Sequence, residues 1–263
     1  MGFFESVGRK AHERRKAFAV AMAFLGESAA AAVSAIFHPR RFRFGDFALA
    51  FQHAAYDGLA IAAGIGLLLG MILAFQSAAA LQMFGVEVYV ADMLAIGLFR
   101  ELGPIVTAII LAGRSGSAFA AEIGTMKVDE ELDALATMGL PPVRFLVLPR
   151  VAAAVMAMPI LTIVLELAGL AGGALVLRLM KVPPVVFWQH VEATSSVFMI
   201  SFGLAKSCLF GLLVGIIGCF EGMRTKATSD GVGSAATSAV VGGIVAIAAS
   251  DGILAVLCYL WNL

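Results

Sequence analysis

Residues 98–150 decide the fold of this chain. They begin with LFRELGP at 98–104 and continue through AGRSGS at 112–117 and AEIGTM at 121–126. The pattern then changes to KVDEELDALATMG at 127–139. The first part places charged residues inside an apolar helix, and the second is a short acidic amphipathic segment. This combination predicts a membrane transport subunit that takes its driving force from a partner.

The composition is that of a membrane protein. Of 263 residues, 61% are hydrophobic and 14% are charged, whereas soluble domains carry about 25% charged residues. Several apolar runs reach the roughly 20 residues that a membrane-spanning helix needs. The 18 basic residues balance the 18 acidic ones, and no basic-aromatic pattern points to nucleic acid. We therefore expect a polytopic membrane protein that does not bind nucleic acid.

Five transmembrane helices are predicted, and together they make an all-α integral membrane fold in one domain over residues 1–263. The second span exceeds the hydrocarbon thickness, so it must tilt, bend or protrude, and Pro104 is the expected bend. The predicted spans are residues 59–81, 93–125, 145–177, 197–220 and 239–260.

Residues 3–37 are predicted to form an amphipathic helix that lies on the membrane rather than across it. Basic residues recur here among aromatic and aliphatic ones, a composition that suits the anionic cytoplasmic leaflet. These basic residues are Arg9, Lys10, Arg14, Arg15 and Lys16.

Basic residues also predict the topology, because cytoplasmic loops carry an excess of lysine and arginine. Eight basic residues precede the first span, whereas Arg178 and Lys181 alone lie on the opposite side. We therefore expect a cytoplasmic N-terminus, a cytoplasmic segment at 127–144 and a periplasmic C-terminus. Further basic residues in or beside loops on the cytoplasmic side are Lys127, Arg144, Arg150, Arg224 and Lys226.

The segment 127–144 is predicted to leave the bilayer as a short helix. Leu132, Leu135 and Met138 fall on one side of it, and Asp129 is its expected N-cap. Gly139, followed by two prolines, is a stop signal. On pattern alone, an ordinary surface helix that joins two spans would look the same.

A smooth face is predicted on the second span, where small residues recur at a spacing of four. Such a face lets another helix approach closely. Its residues are Ala112, Gly116, Ala120 and Gly124.

Apart from Arg150 near the start of the third span, seven charged residues fall inside the predicted spans. Each costs about 2.5–3.5 kcal/mol near the bilayer centre, so each should be paired or face a polar cavity. Pairing that merely fixes the bundle explains Arg114 and Glu122 as well as a function does. For Arg100, Glu101, Lys206 and Asp251 we favour a function, because glycine and proline adjoin the first two. The seven residues are Arg100, Glu101, Arg114, Glu122, Glu166, Lys206 and Asp251.

Motifs of catalysis are absent from the sequence. No G-x-x-x-x-G-K-[ST] phosphate loop occurs, so ATP is not bound in that way. H-E-x-x-H and G-x-S-x-G are also absent, and Ser115 and Ser117 have no nearby base. Cys208, Cys219 and Cys258 lack the spacing of metal ligands. We expect neither an enzyme nor a metal or cofactor site in this chain.

At these residues the chain resembles the MlaE-type permeases, the membrane subunits of bacterial ABC transporters that move phospholipids between the inner and outer membranes. The resemblance is carried by RELGP at 100–104, AGR at 112–114 and AEIGTM at 121–126. It extends over essentially the whole chain. Lys206 and Asp251 fall where the family has a membrane lysine and aspartate.

The resemblance implies an inner-membrane homodimer, two cytoplasmic ATPase subunits that bind ATP and Mg, and a periplasmic ring of MCE-domain proteins. It implies a phospholipid between the two permease copies, near the polar cluster Arg100, Glu101, Lys206 and Asp251. Candidate contacts for the lipid tails are Phe75, Leu81, Met83 and Phe84. It also makes 127–144 the coupling helix, with the ATPase contacts Asp129, Glu130, Glu131, Leu132, Asp133, Leu135, Met138 and Gly139.

Three alternatives stay open. A proton- or ion-coupled secondary transporter would use Glu101, Lys206 and Asp251 as a relay, but five spans do not divide into two equal halves. An intramembrane enzyme is disfavoured because no nucleophile has a base beside it. A structural scaffold for a membrane complex would need only the packing residues.

Overall fold

The computed structural model describes residues 3–37 and 42–260, and the described backbone contains helices and no strands. The all-α class is thereby confirmed. The side chains of residues 3–14, 17 and 36 lie outside the description. The predicted membrane contacts of Arg9, Lys10 and Arg14 therefore fall outside the described residues.

Within these ranges the chain forms ten α-helices, joined by short 3-10 and π turns. Their bounds are α1 Phe3–Phe37, α2 Phe44–Leu81, α3 Val90–Ile96, α4 Gly103–Leu111, α5 Ser117–Val128, α6 Glu131–Thr137, α7 Leu148–Leu179, α8 Pro184–Thr194, α9 Val197–Met223 and α10 Ser229–Leu260.

Six helical stretches are long and apolar enough to cross a membrane, and each predicted span lies within one of them. The sixth is Phe18–Ala35 in α1, so the placement of α1 on the membrane surface stays a prediction. The first span begins at Phe44 rather than at residue 59, and the last begins at Ser229 rather than at 239. Both α2 and α10 therefore begin in more polar sequence before the apolar run, because a helix can form without apolar residues.

The second span is not one regular helix. A π turn at Gly97–Leu102 separates α3 from α4, and another at Ala112–Gly116 separates α4 from α5. Pro104 lies in the first turn of α4, directly after the first π turn. Proline is tolerated in a first helical turn, and the wide turn before it is where the helix departs from its regular path.

The helices α2 and α7 touch backbone to backbone. A methyl group added at Gly70 would overlap the carbonyl of Gly169, and one at Gly66 would overlap the carbonyl of Leu165. From the other side, a methyl group at Gly172 would overlap the carbonyl of Leu67. Because lipid provides no hydrophobic drive between helices, such close packing is what holds them together.

Two buried apolar clusters fill the bundle on either side of its middle. The cluster toward α6 includes Leu111, Leu161 and Phe210, and the cluster toward α8 includes Leu98 and Phe187. The bundle therefore has an α6 end and an α8 end, on opposite sides of the membrane. The outer helices are much less buried. In both α1 and α10, only 11% of the residues in the most apolar stretch are buried.

At the α6 end, the chain makes two sharp reversals around α6. Asp129 ends α5, whereas the N-cap of α6 is Glu130, in a left-handed conformation with φ of 60° and no side-chain capping bond. The prediction of Asp129 as the N-cap was wrong, because α5 continues farther than expected. Gly139, with φ of 74°, ends α6, and the Leu140 amide donates to the Leu135 carbonyl at 3.0 Å. This is a Schellman-type stop.

We predict that Gly70→Ala destabilises the bundle by roughly 1–3 kcal/mol, the usual cost of overpacking. The new methyl group meets backbone, which cannot rotate away. The matched control is Gly64→Ala on the same helix, where an added methyl group has nothing within 4 Å. The measurement is the thermal unfolding of the detergent-solubilised protein, and equal midpoints for the two variants would contradict the packing argument.

Candidate functional site

A buried lysine joins three helical segments at the centre of the candidate site. Lys206 of α9 places its Nζ atom 2.6 Å from Glu101 Oε2 and 2.6 Å from Asp251 Oδ1 of α10. It also donates to the carbonyl of Arg100 at 3.3 Å. The Lys206 side chain is 2% exposed, so these oxygens replace the solvent it has lost. We call Arg100, Glu101, Lys206 and Asp251 the polar cluster.

The local backbone explains why these groups meet. Arg100 and Glu101 lie in the π turn Gly97–Leu102, where the shift of the helical hydrogen-bond pattern makes room for outside donors. Gly203 lies one helical turn before Lys206, and a methyl group there would overlap the carbonyl of Phe99. Because Gly203 has no side chain, α9 packs directly against the π turn, and this contact brings Lys206 close to Arg100 and Glu101.

The charges of the polar cluster balance, with two cations and two carboxylates. Arg100 Nε lies 3.8 Å from Glu101 Oε1. Asp251 Oδ1 is buried and accepts no hydrogen bond, so its approach to Lys206 is an ion pair outside hydrogen-bonding angles. Arg100 and Glu101 remain 39% and 37% exposed. The cluster thus has a buried anchor and an accessible edge at which a polar group can bind.

A small cavity of about 140 Å³ opens beside that edge. Arg100 lines it together with Ser196, Phe198, Met199, Phe202 and Cys258. One charged residue among mostly apolar ones suits an amphiphile better than a fully polar solute.

The residues predicted to contact lipid tails lie around the far end of α2, toward the α8 end. Phe75 is 54% exposed, Met83 84% and Phe84 78%. Leu81 is partly buried against the second apolar cluster. Three large apolar side chains therefore face outward on the last turns of α2 and the 3-10 turn that follows it.

The predicted coupling residues divide into two faces of α6. Leu132 is buried and Leu135 is partly buried, and both pack into the protein's own core. Because these leucines face the bundle, they are not on the surface that an ATPase would meet. The exposed residues are Asp129, Glu130, Glu131, Asp133, Met138 and Gly139.

The small-residue face of the second span is buried and lies against α9. A methyl group on Gly218 would come within 2.7 Å of the Gly116 carbonyl, and one on Gly222 within 3.0 Å of the Ala120 carbonyl. Farther along, Gly124 meets Thr225 just beyond α9, and at the other end Ala112 meets Gly243 of α10.

A second set of charges, which the sequence did not group, lies nearer the α6 end. Arg114 Nη2 pairs with Asp57 Oδ2 at 3.0 Å, and Arg150 Nη2 pairs with Glu122 Oε2 at 2.9 Å. These partners lie on different helices and far apart in the chain, so spacing within one helix could not reveal them. At the α8 end, Asp92 accepts from Thr194 at 2.7 Å and fastens α8 to α3.

The candidate site is made of charged side chains that can bind a ligand. No three histidine, cysteine, aspartate or glutamate side chains among them are close enough to hold a metal ion. The three cysteines are unpaired. What the arrangement can do is pair with charged groups of a ligand and change the packing between helices.

Comparison with known proteins gives the same assignment as the motifs. Residues 47–257 match the family model described as Permease MlaE. A probable ABC transporter permease protein of Synechocystis sp. is 38% identical over 180 residues, which cover 68% of this chain and 68% of the relative.

Two further relatives have more specific names. The intermembrane phospholipid transport system permease protein MlaE of Haemophilus influenzae is 38% identical over 65% of this chain and 66% of its own length. The chloroplastic protein TRIGALACTOSYLDIACYLGLYCEROL 1 of Arabidopsis thaliana is 35% identical over 63% of this chain and 48% of its own length. The chain thus spans less than two thirds of the length of both.

We predict that Lys206→Met destabilises the protein by roughly 3 kcal/mol, because removing one partner leaves buried carboxylate charge uncompensated. Adding Glu101→Gln and Asp251→Asn should restore most of the loss, since the site is then neutral. Thermal unfolding of the single and triple variants is the measurement. If the triple variant unfolds below the single one, the lysine does not serve to neutralise the carboxylates.

Proposed function

This chain belongs to the MlaE permease family, and from that membership we propose that it is the transmembrane subunit of an ATP-driven transporter that moves phospholipids between the inner and outer bacterial membranes. The observation that carries the proposal is the polar cluster, a balanced set of charges inside an apolar bundle with Arg100 and Glu101 at its accessible edge. A phospholipid has the matching chemistry, a charged head group on apolar tails.

The lipid is held between two copies of the permease. The outward-facing Phe75, Met83 and Phe84 supply apolar surface for its tails. Exposed apolar surface of this kind marks a partner or ligand site, and a second copy of the chain would enclose it. The head group then reaches Arg100 at the edge of the polar cluster.

The driving force comes from a separate ATPase that binds ATP and Mg. Its docking element on the permease is α6, whose outer face carries Glu131 and Asp133. Basic residues on the ATPase would complement these carboxylates. Because Leu132 and Leu135 fix α6 to the bundle, a push on α6 moves the permease core rather than a loose loop.

That push has a continuous path to the polar cluster. The helix α5 leads from α6 back through a π turn, α4 and a second π turn to Glu101. At the α6 end, Lys127 donates to the Met223 carbonyl at 2.7 Å and ties the end of α5 to the end of α9. The two helices that bear Glu101 and Lys206 therefore move together, and their tilt changes the shape of the lipid site.

The orientation follows from the charges. The α6 end carries Lys127, Arg144 and Arg150 and faces the cytoplasm, in line with the excess of basic residues in cytoplasmic loops. The α8 end then faces the periplasm, where MCE-domain proteins dock. We therefore propose the bacterial inner membrane as the location of the chain, where α6 would lie beside a cytoplasmic ATPase.

A proton-coupled secondary transporter is the rival that the same cluster permits, because Glu101 and Asp251 are membrane-embedded carboxylates. The two mechanisms differ in what they need. The proposed transporter requires an ATPase and stops without ATP, whereas the rival follows a proton gradient and requires no second protein.

The deciding experiment is purification of the protein from its own cells in mild detergent, with identification of everything that accompanies it. We expect an ATPase, an MCE-domain protein and bound phospholipid in one complex, and ATP-dependent lipid movement after reconstitution. A protein that purifies alone and whose transport follows a proton gradient would overturn the proposal.

We also predict that Glu131→Lys lowers the affinity for the ATPase by about tenfold, equivalent to 1.4 kcal/mol. The cause is a like-charge contact with a basic docking surface. Glu192→Lys is the matched control, because Glu192 is also an exposed carboxylate and lies on α8 at the other end of the bundle. The measurement is the yield of co-purified ATPase per permease, and an equal yield for both variants would contradict α6 as the docking element.

A further inference from the structure

A second, larger cavity is separate from the polar cluster and from the small cavity beside it. It has a volume of about 540 Å³ and lies toward the α6 end, between α2 and α5. Its apolar walls include Leu49 and Phe119. Its charged and titratable lining comes from three parts of the chain. α2 contributes Asp46, His53 and Asp57, the second π turn and α5 contribute Arg114 and Glu122, and α7 contributes Arg150.

The contacts between α5 and α9 fix the depth of this cavity in the membrane. Gly116 lies level with Val214, which an added methyl group would approach to 3.1 Å. Arg114 is two residues from Gly116, and Val214 is nine residues from the end of α9 at Met223, or about 13 Å along the axis. The charges of the cavity therefore run from the α6-end surface to near the middle of the bilayer.

The charges form a ladder along that depth. Asp46 and Asp57 are eleven residues apart on α2, or about 16 Å, which is close to the thickness of one leaflet of hydrocarbon. Asp57 and Arg114 are 36% and 41% exposed, and Glu122 is 54% exposed. Charges at this depth need a polar partner, and these charges have one another, since Arg114 pairs with Asp57 and Arg150 pairs with Glu122. Their exposed edges remain open to the charged groups of a ligand.

The mixture of signs selects the kind of partner. The lining has three carboxylates, two guanidinium groups and one histidine. A site for an anion alone would not carry the carboxylates, and a site for a cation alone would not carry the arginines. Asp46 is balanced by Arg43, whose Nη1 lies 2.6 Å from its carboxylate, so the acidic and basic groups around the cavity are matched. A zwitterion with a phosphate and an ammonium group offers a partner to both signs, whereas an anionic head group offers no cation to the carboxylates.

We infer that this cavity is a second lipid site, a head-group track through which a zwitterionic phospholipid passes between the cytoplasmic leaflet and the middle of the permease. The inference rests on the proposed function and its orientation. The track ends near Arg114, level with Val214, and Lys206 lies eight residues farther along α9, or about 12 Å. The polar cluster is therefore the next set of charged side chains that a head group meets beyond the track.

The test is site-specific photocrosslinking in the full transporter complex. Leu49 lines the cavity and is 62% exposed, and it is replaced by benzoylphenylalanine. The complex is reconstituted in vesicles of equal phosphatidylethanolamine and phosphatidylglycerol. We expect about fivefold more crosslinking to phosphatidylethanolamine, the factor that one ordinary net hydrogen bond of about 1 kcal/mol supplies.

The matched control places the same photoreactive residue at Met156. Met156 is 56% exposed and lies in the same leaflet, since Gly58 of α2 meets Leu161 of α7 nearby. It does not line the cavity, so both lipids should crosslink there in proportion to their amounts. Arg114→Gln and Asp57→Asn, each combined with the probe at Leu49, should lower the ratio to that of the control.

The same lipid ratio at Leu49 and Met156 would overturn the inference, as would crosslinking of Leu49 to a second copy of the chain. Co-purified ATPase and ATP-dependent lipid movement are measured on the same samples. If these persist while the lipid ratio is even, the track is wrong and the proposed function stands. If they are absent, the proposed function fails independently of the crosslinking result.

Discussion

Contact between helix backbones is the constraint on which this structure depends. In a bilayer the hydrophobic effect gives helices no reason to associate, so packing must come from surfaces that fit. Glycines bring α2 onto α7 at Gly66 and Gly70, and α9 onto the second span at Gly218 and Gly222. These contacts fix the relative levels of the helices. The levels in turn decide which charges meet, because a shift of one helical turn moves a side chain by about 5 Å.

The polar cluster fixes the position of α10, as the glycine contacts fix the positions of the central helices. α10 is lightly buried, and its Asp251 reaches inward to Lys206 on α9. Breaking such a pair leaves a charge in hydrocarbon, so the pair holds α10 in register. The same pair lies at the proposed lipid site. An outer helix that is weakly packed and held by charges is well suited to shift when a charged head group competes for those charges.

The sequence predicted the membrane class, the positions of five of the six long apolar helices in the described residues, the outward acidic face of α6 and the presence of charges that needed partners. These features depend on the length of each apolar run and on the free-energy cost of a charge in the bilayer, and both can be judged from one segment of sequence at a time. The pairings of Arg114 with Asp57 and of Arg150 with Glu122 could not be read, because they depend on helix levels set by glycine contacts far away. The π turns were also missed, since a single extra residue in a turn barely changes the apolar pattern. Leu132 and Leu135 were assigned to a partner's groove because an amphipathic helix does not say which surface its apolar face covers.

The nature of the α2–α7 contact has a consequence for how this family can evolve. At Gly70 the obstacle to a larger residue is a carbonyl of the main chain, which is present whatever residue occupies position 169. No second substitution in the partner helix can therefore make room for a side chain at position 70, so replacement of Gly70 is disfavoured whatever happens at position 169. At Gly58 the obstacle is the side chain of Leu161, at 3.1 Å, which a smaller residue would remove. Across related permeases, positions 58 and 161 should therefore covary, whereas position 70 should stay glycine and show no correlated partner.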